Sequence, residues 1–103
     1  MTVYVIAQLK FKDRSTYNRY QAAFAPVFAR FKGTLLAADD QPTVLEGEWP
    51  RDKVVLLSFP DEGAYREWAD SPAYQAIAVD RIAGADNIAL LVRGIHRQPP
   101  TAR

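Results

Sequence analysis

The sequence predicts an α+β protein of the ferredoxin-like class, a βαββαβ chain whose antiparallel sheet carries its helices on one face. Three observations support this class. Segments of alternating apolar residues begin and end the chain, two helical segments lie between them, and a pair of strand segments separates the helices. With 103 residues, one domain is the expectation. We assign it to residues 1–95 and interpret residues 96–103 as a flexible tail.

The first strand is predicted over residues 2–11, which open with β-branched and aromatic residues. Alternate positions divide into two faces, and both faces are partly apolar. A strand of this kind is covered on both sides, by helices on one face and by a second sheet on the other. The first face carries Val3, Val5, Ala7, Leu9 and Phe11, and the second carries Tyr4, Ile6, Gln8 and Lys10.

The first helix is predicted to begin at an Asp13 or Ser15 cap and to reach about Phe31, because aromatic residues recur at helical spacing between them. Pro26 should kink this helix or start a separate turn. Gly33 ends it, and a bent or broken strand then covers residues 34–38 and 43–46.

The central strand is predicted at residues 53–59, after a loop at 47–52. Asp61 caps a short helix, and Ser71 with Pro72 restarts it as a second helix running to about Gly84. The last strand is predicted over residues 87–95.

The sheet face away from the helices is predicted to be apolar, with Ile6, either Leu90 or Leu91, and either Val55 or Leu56 on it. Such a surface needs a partner. We therefore expect a homodimer in which two sheets face each other.

Composition excludes several classes of function. The net charge is +1 and acidic and basic residues are interspersed, which argues against nucleic-acid binding. The absence of cysteine excludes disulfide scaffolds, thiolate metal sites and a cysteine nucleophile. No apolar run is long enough to span a membrane, so we expect a cytoplasmic protein. His96, the single histidine, is interpreted as a solvated residue, with a haem ligand as the alternative.

Residues 45–51 form the richest polar cluster, with Glu46, Trp49 and Arg51 at a junction between strand and loop. If Glu46 points into a cavity, it suits general acid or base chemistry. The structural alternative is a turn in which Gly47 supplies an unusual backbone conformation, Trp49 covers the edge of the core and Arg51 pairs with a carboxylate.

Five aromatic residues with polar atoms, Tyr17, Tyr20, Tyr65, Trp68 and Tyr74, should lie on the helix faces toward the sheet. Buried, these atoms require partners, for which Gln8, Ser58 and Arg81 are the candidates. A cavity edged by these groups would bind a small, mostly apolar molecule. Arg81 would hold a carboxylate or enolate, unless Asp80, Asp70 or Glu67 pairs with it at the surface.

Several segments together resemble the bacterial domain-of-unknown-function family 1330, within the dimeric α+β barrel superfamily. The resemblance spans residues 3–94 and is carried chiefly by Glu46-Gly47-Glu48-Trp49 and by Ser71-Pro72-Ala73-Tyr74-Gln75. It implies a ferredoxin-like protomer, two of which close a barrel, and no established reaction. The superfamily includes cofactor-free monooxygenases, isomerases, haem enzymes and small-molecule sensors.

The sequence therefore suggests a homodimer with a pocket for a small organic molecule, without cofactor or metal. Cofactor-independent isomerisation or oxygenation would use Glu46, Arg81 and Tyr20 as catalytic residues. The alternative is a binding or protein-interaction module without turnover. The expected ligand-binding residues are Gln8, Trp49, Arg51, Ser58 and Tyr74.

Overall fold

The computed structural model describes residues 1–95 of the chain. Its elements follow the predicted order: β1 (Val3–Phe11), α1 (Arg14–Phe28), β2 (Thr34–Asp39), β3 (Lys53–Phe59), α2 (Glu62–Ala69), α3 (Pro72–Gly84) and β4 (Ala85–Arg93). The four strands form one antiparallel sheet in the order β2-β3-β1-β4. The fold is ferredoxin-like, as predicted.

The helices begin where the sequence predicts. The carboxylates of Asp13 and Asp61 accept hydrogen bonds from the backbone N–H groups of Thr16 and Ala64, and Ser71 does the same for Tyr74. Pro72 occupies the first turn of α3, where its missing N–H costs no hydrogen bond.

Helix α1 ends at Phe28 rather than Phe31. Pro26 lies in its last turn, and tighter turns follow, in which the N–H groups of Arg30 and Phe31 donate to the carbonyls of Val27 and Phe28. The missing N–H of Pro26 thus falls close to the end of the helix rather than producing a kink in the middle of a longer one.

The bounds of β2 and β4 also differ from prediction, and β4 ends at Arg93 rather than at residue 95. β2 bends at a register shift between Leu35 and Ala37, as expected of a bent strand, but residues 43–46 are not a strand. The Asp39 carboxylate accepts a hydrogen bond from the Gln41 N–H, which stabilises the turn that ends β2. β4 begins at Ala85, directly after α3, because the Gly84 carbonyl bonds to Lys12 and Asp13 at the end of β1.

Gly84 sits where α3 meets the start of α1, and we expect Gly84→Ala to destabilise the protein. An added Cβ would lie 2.6 Å from the Tyr17 backbone nitrogen and 2.9 Å from its Cα. Because backbone cannot rotate away, the overpacking should cost about 1–3 kcal/mol in urea unfolding. Gly63→Ala is the matched control, since its Cβ would meet only the Asp61 carboxylate, at 3.3 Å. Equal losses for the two variants would contradict this account.

The two sheet faces differ in their surroundings. Toward the helices lie the buried side chains of Val3, Val5 and Leu9 on β1, with Leu57 and Phe59 on β3. On the opposite face, Ile6 is flanked in register by Leu56 and Leu90, which resolves both alternatives left open by the sequence. Leu90 is 49% exposed. We call this surface, with Tyr4, Val54, Ile88 and Val92, the open face.

None of the helices in residues 1–95 has the length and apolar character required to cross a membrane.

Candidate functional site

A cavity of about 480 Å³ lies between the sheet and the three helices. Its walls are mainly apolar and aromatic, as is typical of sites for small organic molecules. Nine side chains with hydroxyl, amide or charged groups also line it: Tyr17, Tyr20, Gln21, Lys53, Tyr65, Asp70, Tyr74, Gln75 and Arg81. Of the predicted site residues, Tyr20, Tyr74 and Arg81 are therefore brought together.

These three residues form a hydrogen-bonded chain across α1 and α3. Arg81 Nε donates to the Tyr74 hydroxyl at 3.1 Å, and the hydroxyls of Tyr74 and Tyr20 lie 3.0 Å apart. Only one of the two hydroxyls can donate to the other, so one phenolic hydrogen of the pair is left to donate elsewhere. Within residues 1–95, no carboxylate pairs with Arg81, and Asp80 pairs instead with Arg19.

Two of the three buried tyrosines, Tyr17 and Tyr20, resist ionisation. Burial raises the pKa of Tyr17 from its ordinary value of 10.0 to about 12, and the negative charge of Asp40 adds to the shift. Burial also raises the pKa of Tyr20, with the neighbouring Tyr74 contributing. The Tyr20 hydroxyl therefore stays protonated near neutral pH and acts as a hydrogen-bond donor rather than a base.

The raised tyrosine pKa values predict an alkaline loss of stability. Above pH about 10 the unfolded chain ionises its tyrosines while the folded chain does not, so the free energy of unfolding should fall between pH 10 and 12. The stabilising contribution is complete below pH about 10. Urea unfolding as a function of pH should show a shallower decline in Tyr17→Phe than in the natural sequence. An identical decline would contradict the assignment.

Lys53 is a cavity residue that the sequence analysis missed. It is only 4% exposed, and its ammonium contacts Asp40 Oδ1 at 3.2 Å and Gln21 Oε1 at 3.0 Å. Arg14 Nη2 binds the other Asp40 oxygen at 2.8 Å, and this hydrogen bond is the main reason that the pKa of Asp40 is lowered. Alternation with Val55, Leu57 and Phe59 was the available signal, since it places Lys53 on the helix-facing side of β3.

Gln8, Trp49, Arg51 and Ser58 lie away from the cavity. Gln8 and Ser58 occupy the open face, because side chains alternate along a strand and their neighbours Leu9, Leu57 and Phe59 point toward the helices. The prediction that Gln8 and Ser58 meet the tyrosine hydroxyls is therefore wrong, and Arg81 alone of the three candidates does so. A ligand-binding role for these four residues stays a prediction.

The loop at 40–52 is held on the sheet by contacts that match much of the structural alternative. The Trp49 indole donates to Gln8 Oε1 at 2.9 Å, and Gly47 has φ +78°, as that interpretation expects. Arg51 differs, because it donates to the backbone carbonyls of Gln8 and Asp86 rather than to a carboxylate.

Glu46 is exposed on the same loop and is not among the residues that line the cavity. Its catalytic role stays a prediction. His96 and the predicted tail at 96–103 lie outside the described residues. Within residues 1–95, no cluster of three or more histidine, aspartate or glutamate side chains is arranged to hold a metal ion.

Comparison with known families gives a match over residues 2–95 to the model described as "Domain of unknown function (DUF1330)". The chain belongs to the DUF1330 family. This match confirms the resemblance to the family that the sequence motifs indicated. A comparison with curated protein sequences found no match.

Solved structures share the fold of this DUF1330 protein at low sequence identity. A protein of unknown function from Rhodopseudomonas palustris superimposes with a TM-score of 0.78 at 17% identity, covering 93% of this chain and 84% of that one. The cofactor-independent oxygenase SnoaB from Streptomyces nogalater superimposes with a TM-score of 0.65 at 18% identity, covering 95% of this chain and 97% of that one. A dimeric ferredoxin-like protein of unknown function from Thermobifida fusca superimposes with a TM-score of 0.64 at 17% identity, covering 88% of this chain and 89% of that one.

Proposed function

We propose that this protein binds a small organic anion in the cavity between sheet and helices, with Arg81 as the anchor for the anionic group. The observation that carries the proposal is the Arg81–Tyr74–Tyr20 chain. A guanidinium at an aromatic cavity, without a carboxylate partner in residues 1–95, is suited to a carboxylate, phenolate or enolate oxygen.

The rest of the cavity supports the same class of ligand. Val5, Leu9, Val55 and Leu57 line it beside Phe24 and Trp68, so the body of the ligand is apolar. The polar groups next to Arg81 donate hydrogen bonds, since one hydroxyl hydrogen of the Tyr20–Tyr74 pair is free. Donors in excess favour a ligand rich in oxygen acceptors.

Conversion of an enolisable ligand without a cofactor is the second candidate function. Its specific support is that Arg81 and a protonated tyrosine together can stabilise an enolate oxygen. The neighbour SnoaB is described as a cofactor-independent oxygenase. Asp70 lines the cavity and Glu46 does not, so these two carboxylates are the ones to compare as the proton-transfer group.

We further propose that two protomers associate through their open faces. Leu56, Ile6 and Leu90 form an apolar row across three strands, and Leu90 is half exposed in the single chain. Burying such a row against a second copy removes it from water. The dimeric ferredoxin-like neighbour from Thermobifida fusca supports the arrangement.

Calorimetric titration with naphthoate and its neutral analogue naphthamide tests the anion site. We expect naphthoate to bind more tightly than naphthamide. Arg81→Met should lower the affinity for naphthoate by roughly 10- to 100-fold and leave the affinity for naphthamide unchanged. Arg19→Met, at an exposed arginine paired with Asp80, is the control and should change neither. Equal losses for acid and amide would contradict an anion anchor at Arg81.

Turnover is separated from binding by incubating an enolisable ligand with the protein in deuterated water. Incorporation of deuterium faster than in buffer, slowed by Asp70→Asn or by Glu46→Gln, would support the catalytic candidate. Incorporation at the buffer rate would leave a binding module.

A further inference from the structure

Lys53 is the buried charged group that the proposed anion site does not use. Its side chain is 6% exposed and lies at the cavity, at the start of β3. A lysine is rarely this buried without a function or a full set of partners. The surroundings of Lys53 therefore indicate what its ammonium does.

The charges around Lys53 are not balanced. Lys53 and Arg14 each bind one oxygen of the same carboxylate, Asp40, so two positive charges share one negative charge. The Asp40 contact also shows that a carboxylate oxygen can approach this ammonium, at 3.2 Å. A second anion at Lys53 would complete the charge balance.

Hydrogen-bond donors accompany the surplus charge. Gln21 Oε1 accepts from Lys53 at 3.0 Å, so the Gln21 amide is oriented with its NH₂ group available. Tyr17 is 2% exposed, and the centre of its ring lies 5.3 Å from the Lys53 nitrogen. Lys53, Gln21 and Tyr17 all line the same cavity as Arg81.

We propose that Lys53, with Tyr17 and Gln21, forms a second oxyanion subsite, and that the cavity takes ligands with two acidic or strongly polar oxygen groups. One group binds at Arg81 and the Tyr20–Tyr74 pair, and the other binds at Lys53. The apolar residues between them hold the carbon skeleton. This inference rests on the proposed anion site. It specifies the ligand class as dicarboxylates and other acids that carry a second strongly polar oxygen group.

The test compares straight-chain dicarboxylates, from glutarate to sebacate, with the monocarboxylates of equal carbon number. In the natural sequence, we expect at least one dicarboxylate to bind roughly tenfold or more tightly than its monocarboxylate. Lys53→Met should remove that preference without changing the affinity for monocarboxylates, because methionine keeps the apolar bulk. Arg81→Met should weaken both series.

Asp40→Asn provides a variant that keeps Lys53 in place. It removes the carboxylate that shares the ammonium, so dicarboxylates should bind several-fold more tightly and monocarboxylates should be unchanged. This variant carries the test if Lys53→Met fails to fold, as judged by circular dichroism.

The outcomes separate the two proposals. If dicarboxylates gain nothing over monocarboxylates, or if Asp40→Asn leaves their affinity unchanged, the Lys53 subsite is overturned while Arg81-dependent binding of monocarboxylates still supports the anion site. If Arg81→Met leaves every affinity unchanged, the anion site itself is overturned and the subsite with it.

Discussion

Leu90→Glu should convert the protein from a dimer to a monomer. Leu90 is half exposed and stands beside Ile6, which in turn is paired with Leu56, so it is part of the apolar row across the open face. A glutamate there would place an unpaired charge between two apolar sheets, at a cost of several kcal/mol. We expect the dimer dissociation constant to rise by at least about a hundredfold.

Size-exclusion chromatography coupled to light scattering measures the molar mass and so distinguishes dimer from monomer directly. Val79→Glu is the matched control, because Val79 is an exposed apolar residue of α3 rather than of the sheet, at 63% exposure. The control should remain a dimer. If the natural sequence forms the proposed dimer, its melting temperature should rise with protomer concentration, and that of Leu90→Glu should not. A natural sequence that is monomeric, or a Leu90→Glu variant that is as dimeric as the control, would contradict the open-face interface.

Of the substitutions proposed as tests, Trp68→Ala should lower the folding stability of the protomer most. Trp68 is 4% exposed and packs against Phe28, Phe59 and Tyr74, with ring centroids 5.3, 5.5 and 4.1 Å away. Removing a buried indole from such a cluster costs about 3–5 kcal/mol. The indole N–H has no hydrogen-bond partner within residues 1–95, so the loss comes from packing rather than from a broken polar contact.

The second tryptophan supplies the comparison. Trp49 lies on the loop over the open face, and its indole donates one hydrogen bond, to Gln8. In urea unfolding at one protomer concentration, Trp49→Ala should lower the free energy of unfolding by less than half as much as Trp68→Ala does. Similar losses would mean that the core is not centred on the aromatic cluster between α2 and the sheet.

The fold was predictable because its signals are local. Asp13, Asp61 and Ser71-Pro72 mark helix starts through bonds to residues three positions away, and these signals hold whatever packs around them. The errors fell where a tertiary contact decides the boundary, as at β4, whose start is fixed by bonds from Lys12 and Asp13 to Gly84.

The site was only partly predictable, because a cavity depends on which face each strand residue takes and on partners distant in sequence. Arg81 and the tyrosines were found through their chemistry. Ser58 was misplaced because the sequence left open whether Val55 or Leu56 faces the helices. Gln8 was misplaced although it alternates onto the same strand face as Ile6. For Lys53, alternation along β3 indicates the helix-facing side, but its partners, Asp40 from the loop that follows β2 and Gln21 from α1, are distant in sequence.

A crystal structure of the complex with a bromonaphthoate tests the central claim most directly, because the anomalous signal of bromine locates the ligand independently of the protein. The account predicts a peak inside the cavity, with the carboxylate against Arg81 and near Tyr20 and Tyr74. A bromine peak only on the open face, beside Gln8, Trp49 and Arg51, would contradict it and would move the binding site to the other side of the sheet.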